Sequence, residues 1–229
     1  MPRFATHSLL LLALVYASAC GQSQAPGTVA PGTPAPSTLA PGTSSPRIVF
    51  LGDSLTAGLG LNADQSYPAL IGQKLKAQGY DYDIVNAGVS GDTSAGGLRR
   101  VDWSLEGDVR VLIVALGGND ALRGLPVDDL RKNLEAILAR AHERHITVIL
   151  AGMEAPPNNG PDYTSAFRKV YADLAKQPDV RFIPFLLDGV AGVPGLNQAD
   201  GIHPNPRGAQ MVADLVWKEL EAALPRPTR

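Results

Sequence analysis

Three side chains far apart in the sequence have the chemistry of a nucleophilic relay: Ser54, Asp200 and His203. A serine hydroxyl is a weak nucleophile until a histidine accepts its proton, and a carboxylate must hold that histidine in the correct tautomer. Asp200 and His203 stand three apart in "ADGIHPNPRGAQ" (199–210), and Gly201 between them permits the tight backbone that lets the carboxylate face the imidazole. Attack by such a serine passes through a tetrahedral oxyanion, which needs hydrogen-bond donors aimed at it. The candidates are the backbone N–H of Ser54, that of Gly91, and the side-chain amide of Asn119. Gly91 has no side chain to keep a reacting oxygen away. Losing one donor of this kind costs on the order of a hundredfold or more in rate.

Each of these residues also has a simpler role to compete with. Serine is common as a cap or turn residue after a strand, Asn119 would serve as a cap for the next turn, and Gly91 suits a positive-φ position. For Ser54 the presence of Asp200 and His203 downstream outweighs the cap. Asp53 and Asp120 read as structural acids that bond nearby backbone N–H groups. His142 and His145 read as surface or dipole-facing histidines. A metal at Asp200 and His203 lacks a third and fourth ligand at suitable spacing, so neither metal nor organic cofactor is expected.

Elements must carry these residues to one place. Apolar runs at 47–52, 82–87, 110–117, 146–152 and 180–185 read as strands, and amphipathic stretches at 65–78, 93–105, 127–144, 163–177 and 206–224 read as helices. Their alternation implies an α/β domain: a parallel sheet with helices on both faces and right-handed crossovers. Ligands of such a sheet sit at the carboxyl ends of its strands. Asp53-Ser54, Ser90-Gly91-Asp92 and Asn119-Asp120 directly follow the first three runs and should therefore share one edge. The apolar stripes of the helices, Trp217 included, read as core. Apolar residues in loops leaving that edge, Leu122, Leu125, Pro156 and Pro157, are expected to wall a groove.

A second motif needs weighing. "GLGLNA" (58–63) matches G-x-G-x-x-A, with an acid about twenty positions on at Asp81 or Asp83, as in dinucleotide-binding folds. Its first glycine does not make the turn off the strand and no helical pattern begins until Gln65, which argues against that assignment; as a rival it predicts thermal stabilisation by NAD. There is likewise no G-x-S-x-G elbow.

The first twenty residues differ from all of this. "MPRFATHSLLLLALVYASAC" has a basic start, a short apolar core and small residues at 17–19, the layout of a secretory signal, and is too short to span a bilayer. Two readings compete at its end: ordinary cleavage after Ala17-Ser18-Ala19, giving a secreted protein, or lipidation of Cys20, which resembles the acceptor cysteine of bacterial lipoproteins. Cys20 is the sole cysteine of an exported chain, which favours the anchor. Residues 21–46 repeat A-P-G-T without periodic hydrophobics and read as a disordered, semi-flexible tether. Residues 47–229 then form one domain, of ordinary size. The formal charge of -2 is spread along the chain rather than massed, which excludes a nucleic-acid binder.

Four blocks, "GDSL" (52–55), "NAGVSGDT" (86–93), "LGGND" (116–120) and "DGIHP" (200–204), resemble those of the SGNH, or GDSL, hydrolases. "GGNDALRGLP" and "PPNNG" resemble the bacterial thioesterase I, lysophospholipase L1 and arylesterase subgroup. The resemblance runs from Arg47 to about Leu220. It implies a three-layer α/β/α sandwich, flavodoxin-like, with a parallel five-stranded sheet. It implies that Ser54 is the nucleophile of a monomeric esterase, that Ser54, Gly91 and Asn119 form the oxyanion hole, and that Asp200 and His203 complete the triad. The expected substrates are small acyl esters or lipids: aryl or alkyl esters, lysophospholipids or thioesters. The alternatives are a carbohydrate O-deacetylase of the same superfamily and a tethered, non-catalytic binding module.

Overall fold

Runs of Val, Ile and Leu form five strands: β1 (Arg47–Gly52), β2 (Asp83–Gly88), β3 (Val109–Ala115), β4 (Thr147–Ala151) and β5 (Val180–Ile183). The structure is a computed structural model and describes residues 45–227. All neighbouring strands are parallel, in the order β2-β1-β3-β4-β5. Ile48 to Leu51 of β1 and Leu112 to Val114 of β3 are fully buried, because helices cover both faces of the sheet. This is why the central strands read as unbroken apolar runs. The edge strand β2 is only half-buried and carries Asp83 and Asn86 within it.

The helices are α1 (Ser54–Ala57), α2 (Tyr67–Ala77), α3 (Ser94–Ser104), α4 (Gly118–Leu122), α5 (Val127–His142), α6 (Pro161–Leu174) and α7 (Pro206–Ala223). The step from β1 to β2 runs one way along the sheet, and the three later steps run the other way. Right-handed crossovers then put α2 on one face and α3, α5 and α6 on the opposite face. Helix α7 packs against α2 and joins the first layer. The result is a three-layer α/β/α sandwich with the flavodoxin strand order, whose switch point lies between β1 and β3.

Local sequence explains the helix ends. In α5 the acids Asp128 and Asp129 lie in the first turn and Arg140 and His142 in the last, each sign matched to the helix dipole. Its buried Leu130, Leu134, Ile137, Leu138 and Ala141 follow the helical period. In α7, Asn205 caps the N–H groups of Arg207 and Gly208 ahead of Pro206. Trp217 of α7 is buried edge-on against Tyr80. Helix α6 begins at Pro161, two residues before the expected start, since proline suits a first helical position. Helices α1 and α4 escape a periodicity reading because neither is long enough to show a period.

The 58–63 run opens no helix on the strand: Gly58 ends α1 in a left-handed conformation, and a 3-10 turn (Ala63–Gln65) precedes α2. The expected signal at 1–20 with Cys20, and all of the 21–46 tether except Ser45 and Pro46, lie outside the described residues.

Candidate active site

Strand β1 ends at Gly52, where a Cβ would collide with Thr56 Oγ1 and lie 2.9 Å from the carbonyl of Ala115. Only glycine lets α1 turn so closely off the sheet. The cap of α1 is Asp53, whose carboxylate accepts the N–H of Leu55 at 3.0 Å. Ser54 is thus the first helical residue rather than the cap, its N–H has no intrahelical acceptor, and its hydroxyl is left for another partner. That partner is His203, with Nε2 2.8 Å from Ser54 Oγ.

His203 sits in the loop between β5 and α7. Its Nδ1 lies 2.7 Å from Asp200 Oδ2, while Asp200 Oδ1 accepts the N–H groups of Ile202 at 2.9 Å and His203 at 3.0 Å. Gly201 makes this turn at φ +71°. Chiefly the backbone N–H of His203, then that of Ile202 and then the imidazole, pull the Asp200 carboxyl down to about 2. A bridge between Asn197 and Pro204 closes the loop. Gln198 ties it to the segment after α1, donating its side-chain amide to the carbonyls of Leu59 at 2.7 Å and Pro204 at 3.0 Å. Nothing local in the sequence marks Gln198, because its partner Leu59 is remote in the chain.

The remaining polar residues come from β2 and β3. Gly91 follows β2 at φ +80°. Asn119 is the second residue of α4, whose cap is Gly117, so Asn119 does not itself cap the helix. Its Nδ2 donates to Asp53 Oδ2 at 3.1 Å, leaving a second amide hydrogen. Asp53 is nearly fully buried, and burial pushes its carboxyl up to about 6 despite opposing bonds from Leu55 and Asn119 and the nearby His203. Asp120 is buried as well and accepts both the backbone N–H of Ser94 at 2.8 Å and its hydroxyl at 2.5 Å.

Ser54, Gly91, Asn119 and His203 all line one cavity of about 500 Å³. Of the four expected wall residues, Leu122 and Pro156 line it and Leu125 and Pro157 do not. After Gly124, at φ +58°, the chain has turned back, so the Leu125 backbone bonds Asp120 of α4 and the Tyr163 hydroxyl of α6. Pro157 opens an exposed 3-10 turn (Pro157–Asn159). Met153, Phe185, Leu187 and Ile202 are further walls. Phe185 was hidden at the end of an expected strand that stops at Ile183. His142 and His145 precede β4 and so lie at the opposite edge of the sheet. Among the described residues, no group of three or more His, Cys, Asp or Glu is placed to hold a metal.

A serine, histidine and aspartate in hydrogen-bonded sequence, at the carboxyl edge of a flavodoxin-type sheet and beside an apolar cavity, define a serine hydrolase of carboxylic esters. The model of the GDSL-like Lipase/Acylhydrolase family matches residues 50–211, and the chain belongs to that family. The chain is 43% identical over 178 residues to Esterase TesA of Pseudomonas aeruginosa, covering 77% of this chain and 89% of the relative. It is 37% identical over 175 residues to thioesterase 1/protease 1/lysophospholipase L1 of Escherichia coli, covering 76% and 83%. A crystal structure of TesA superposes with a TM-score of 0.74 at 42% identity, covering 79% of this chain and all of that one.

Proposed function

We propose that the chain hydrolyses small or lipidic acyl esters through an acyl-enzyme on Ser54. The observation that carries this reading is the pair of contacts from Ser54 Oγ to His203 Nε2 (2.8 Å) and from His203 Nδ1 to Asp200 (2.7 Å) at the wall of the cavity. Ser54 Oγ attacks the ester carbonyl carbon while His203 Nε2 takes its proton. The N–H of Ser54, the N–H of Gly91 and the free amide hydrogen of Asn119 receive the oxyanion. Asp200 holds Nδ1 protonated and offsets the imidazolium charge. His203 then passes the proton to the departing alkoxide, and water, activated by the same imidazole, releases the acid.

The cavity supports an acyl chain over a sugar. Apart from Asp53, Ser54, Asn119 and His203, only Ser90 and Glu154 among the described residues bring polar side chains to its lining. A carbohydrate O-deacetylase would leave many sugar hydroxyls there without partners. The names of the relatives, esterase and lysophospholipase among them, support the same substrate class.

We further infer export, from the signal-like residues 1–20, with Cys20 as a lipid anchor and 21–46 as the tether of a monomeric 47–229 domain. Intact-mass analysis of the mature chain tests the anchor: an unmodified amino terminus overturns it.

The test of the catalytic reading is hydrolysis of p-nitrophenyl esters with acyl chains of about 2 to about 16 carbons, each buried CH₂ adding about 0.8 kcal/mol. Wild-type activity with a chain-length optimum, abolished in Ser54→Ala, is the expected result. Folded wild-type protein that is inert at every length and is not labelled by an organophosphonate at Ser54 would return the chain to the binding module.

A further inference from the structure

We propose that Arg100 is a positioning residue for the oxyanion donors, clamping the two chain ends that carry Ser54 and Gly91. This rests on the donor assignment proposed above. Parallel pairing holds β1 to β2 as far as Gly52 and Gly88. Beyond that rung the chains part, one into α1 and the other through the turn at Ser90 and Gly91. The last backbone link between them is the N–H of Val89 on the carbonyl of Gly52, at 3.0 Å. No strand ladder then fixes the Ser54 N–H against the Gly91 N–H, yet both must converge on one oxygen.

Besides Asn86, whose Nδ2 donates to the carbonyl of Thr56 at 2.9 Å, Arg100 of α3 braces this point. Its Nη2 donates to the carbonyl of Gly52 at 2.8 Å, two residues before Ser54. Its Nη1 donates to the carbonyl of Ala87 at 2.6 Å, ahead of the Gly91 turn, and its Nε donates to Asp92 Oδ2 at 2.7 Å, directly after it. The side chain is largely buried, as is that of Asp92. One rigid guanidinium fork therefore grips both sides of the Gly91 turn and the end of β1 together. A lysine in its place would keep the charge but not three donors in a plane.

The experiment is steady-state hydrolysis of p-nitrophenyl butyrate by the full chain carrying Arg100→Lys or Arg100→Met. Ser54→Ala serves as a check on the underlying reading. Arg144→Lys serves as a control, because Arg144 also binds backbone carbonyls, those of Asp102 and Leu105 at the end of α3, but away from the site. Misplacing reacting groups by about 1 Å costs about a hundredfold. The expected result is a kcat lowered roughly 10- to 100-fold with KM changed by less than about twofold. Arg144→Lys, at a matched fall in thermal midpoint, should keep wild-type kcat. Should Arg100→Met not fold, Arg100→Lys alone decides. A kcat in Arg100→Lys within about threefold of wild type, or an equal loss in Arg144→Lys, overturns the clamp. Activity surviving in Ser54→Ala overturns the underlying reading instead.

Discussion

Asn119 donates its side-chain amide to the buried carboxylate of Asp53, with Nδ2 and Oδ2 3.1 Å apart. The acid that caps α1 therefore also orients the amide proposed as an oxyanion donor. Burial raises the Asp53 carboxyl from 3.8 to about 6, so between those values the folded protein binds more protons than the unfolded chain. Stability must then fall as pH rises through this window, by about 3 kcal/mol for a shift of this size. Asp200, held down near 2, works in the opposite sense and below the window: its contribution is present above about 4 and is lost as pH falls toward 2. Urea unfolding of wild type from pH 4 to pH 7 should show the decline, and Asp53→Asn should flatten it. An equal slope in both proteins would assign the effect elsewhere.

Asp200→Asn separates turn from tautomer. The amide oxygen of Asn can still accept the N–H groups of Ile202 and His203, so the loop should fold as before. Its NH₂ group would face Nδ1 and favour the tautomer protonated at Nε2, which cannot take the Ser54 proton. On these grounds kcat should drop by roughly 10³- to 10⁴-fold with an unchanged thermal midpoint. Ester hydrolysis and a melting curve on the same preparation decide it, and a loss below about tenfold would mean Asp200 matters only to the turn.

The parts legible from sequence are those written locally. The strands announce themselves as short apolar runs and the five longer helices by their apolar period, and Ser54, Gly91 and Asn119 follow strands whose ends must meet at one edge. What stayed hidden depends on partners remote in the chain. Arg100 looks like any surface arginine of an amphipathic helix until Gly52 and Ala87 are beside it. Asp53 and Asp120 were expected to bond backbone N–H groups and do so, but their side-chain bonds to Asn119 and Ser94 have no local signature. The groove fails in part for a related reason: the turn at Gly124 decides where Leu125 goes, and a list of loop hydrophobics carries no direction.

That difference yields a paired test of the cavity. Met153, 7% exposed, lines it from the loop after β4, whereas Leu125 engages α4 and α6. Met153→Ala should move the preferred acyl chain toward greater length, by about one to three methylenes, at about 0.8 kcal/mol for each one buried. Leu125→Ala should leave the preference where it was. Rates across the p-nitrophenyl ester series read both, and a shift produced by Leu125→Ala alone would reverse the assignment of the walls.

The contact of Asp120 with Ser94 joins the starts of α4 and α3, beside Asn119 and the Gly91 turn. Asp120 follows Asn119 on α4, and Ser94 opens α3 just beyond the Gly91 turn. The carboxylate takes both the N–H and the hydroxyl of Ser94, and Asn133 donates to that hydroxyl at 2.9 Å. Both Asp120 and Ser94 are almost wholly shielded from solvent. In Asp120→Ala the backbone N–H of Ser94 loses its acceptor where water cannot replace it, so stability should fall by about 2–4 kcal/mol. Adding Ser94→Ala removes the stranded hydroxyl but not the stranded N–H, so the double variant should recover only part of the loss. Urea unfolding of the three proteins measures this. Full recovery in the double variant would show that the hydroxyl, not the backbone, is what Asp120 serves.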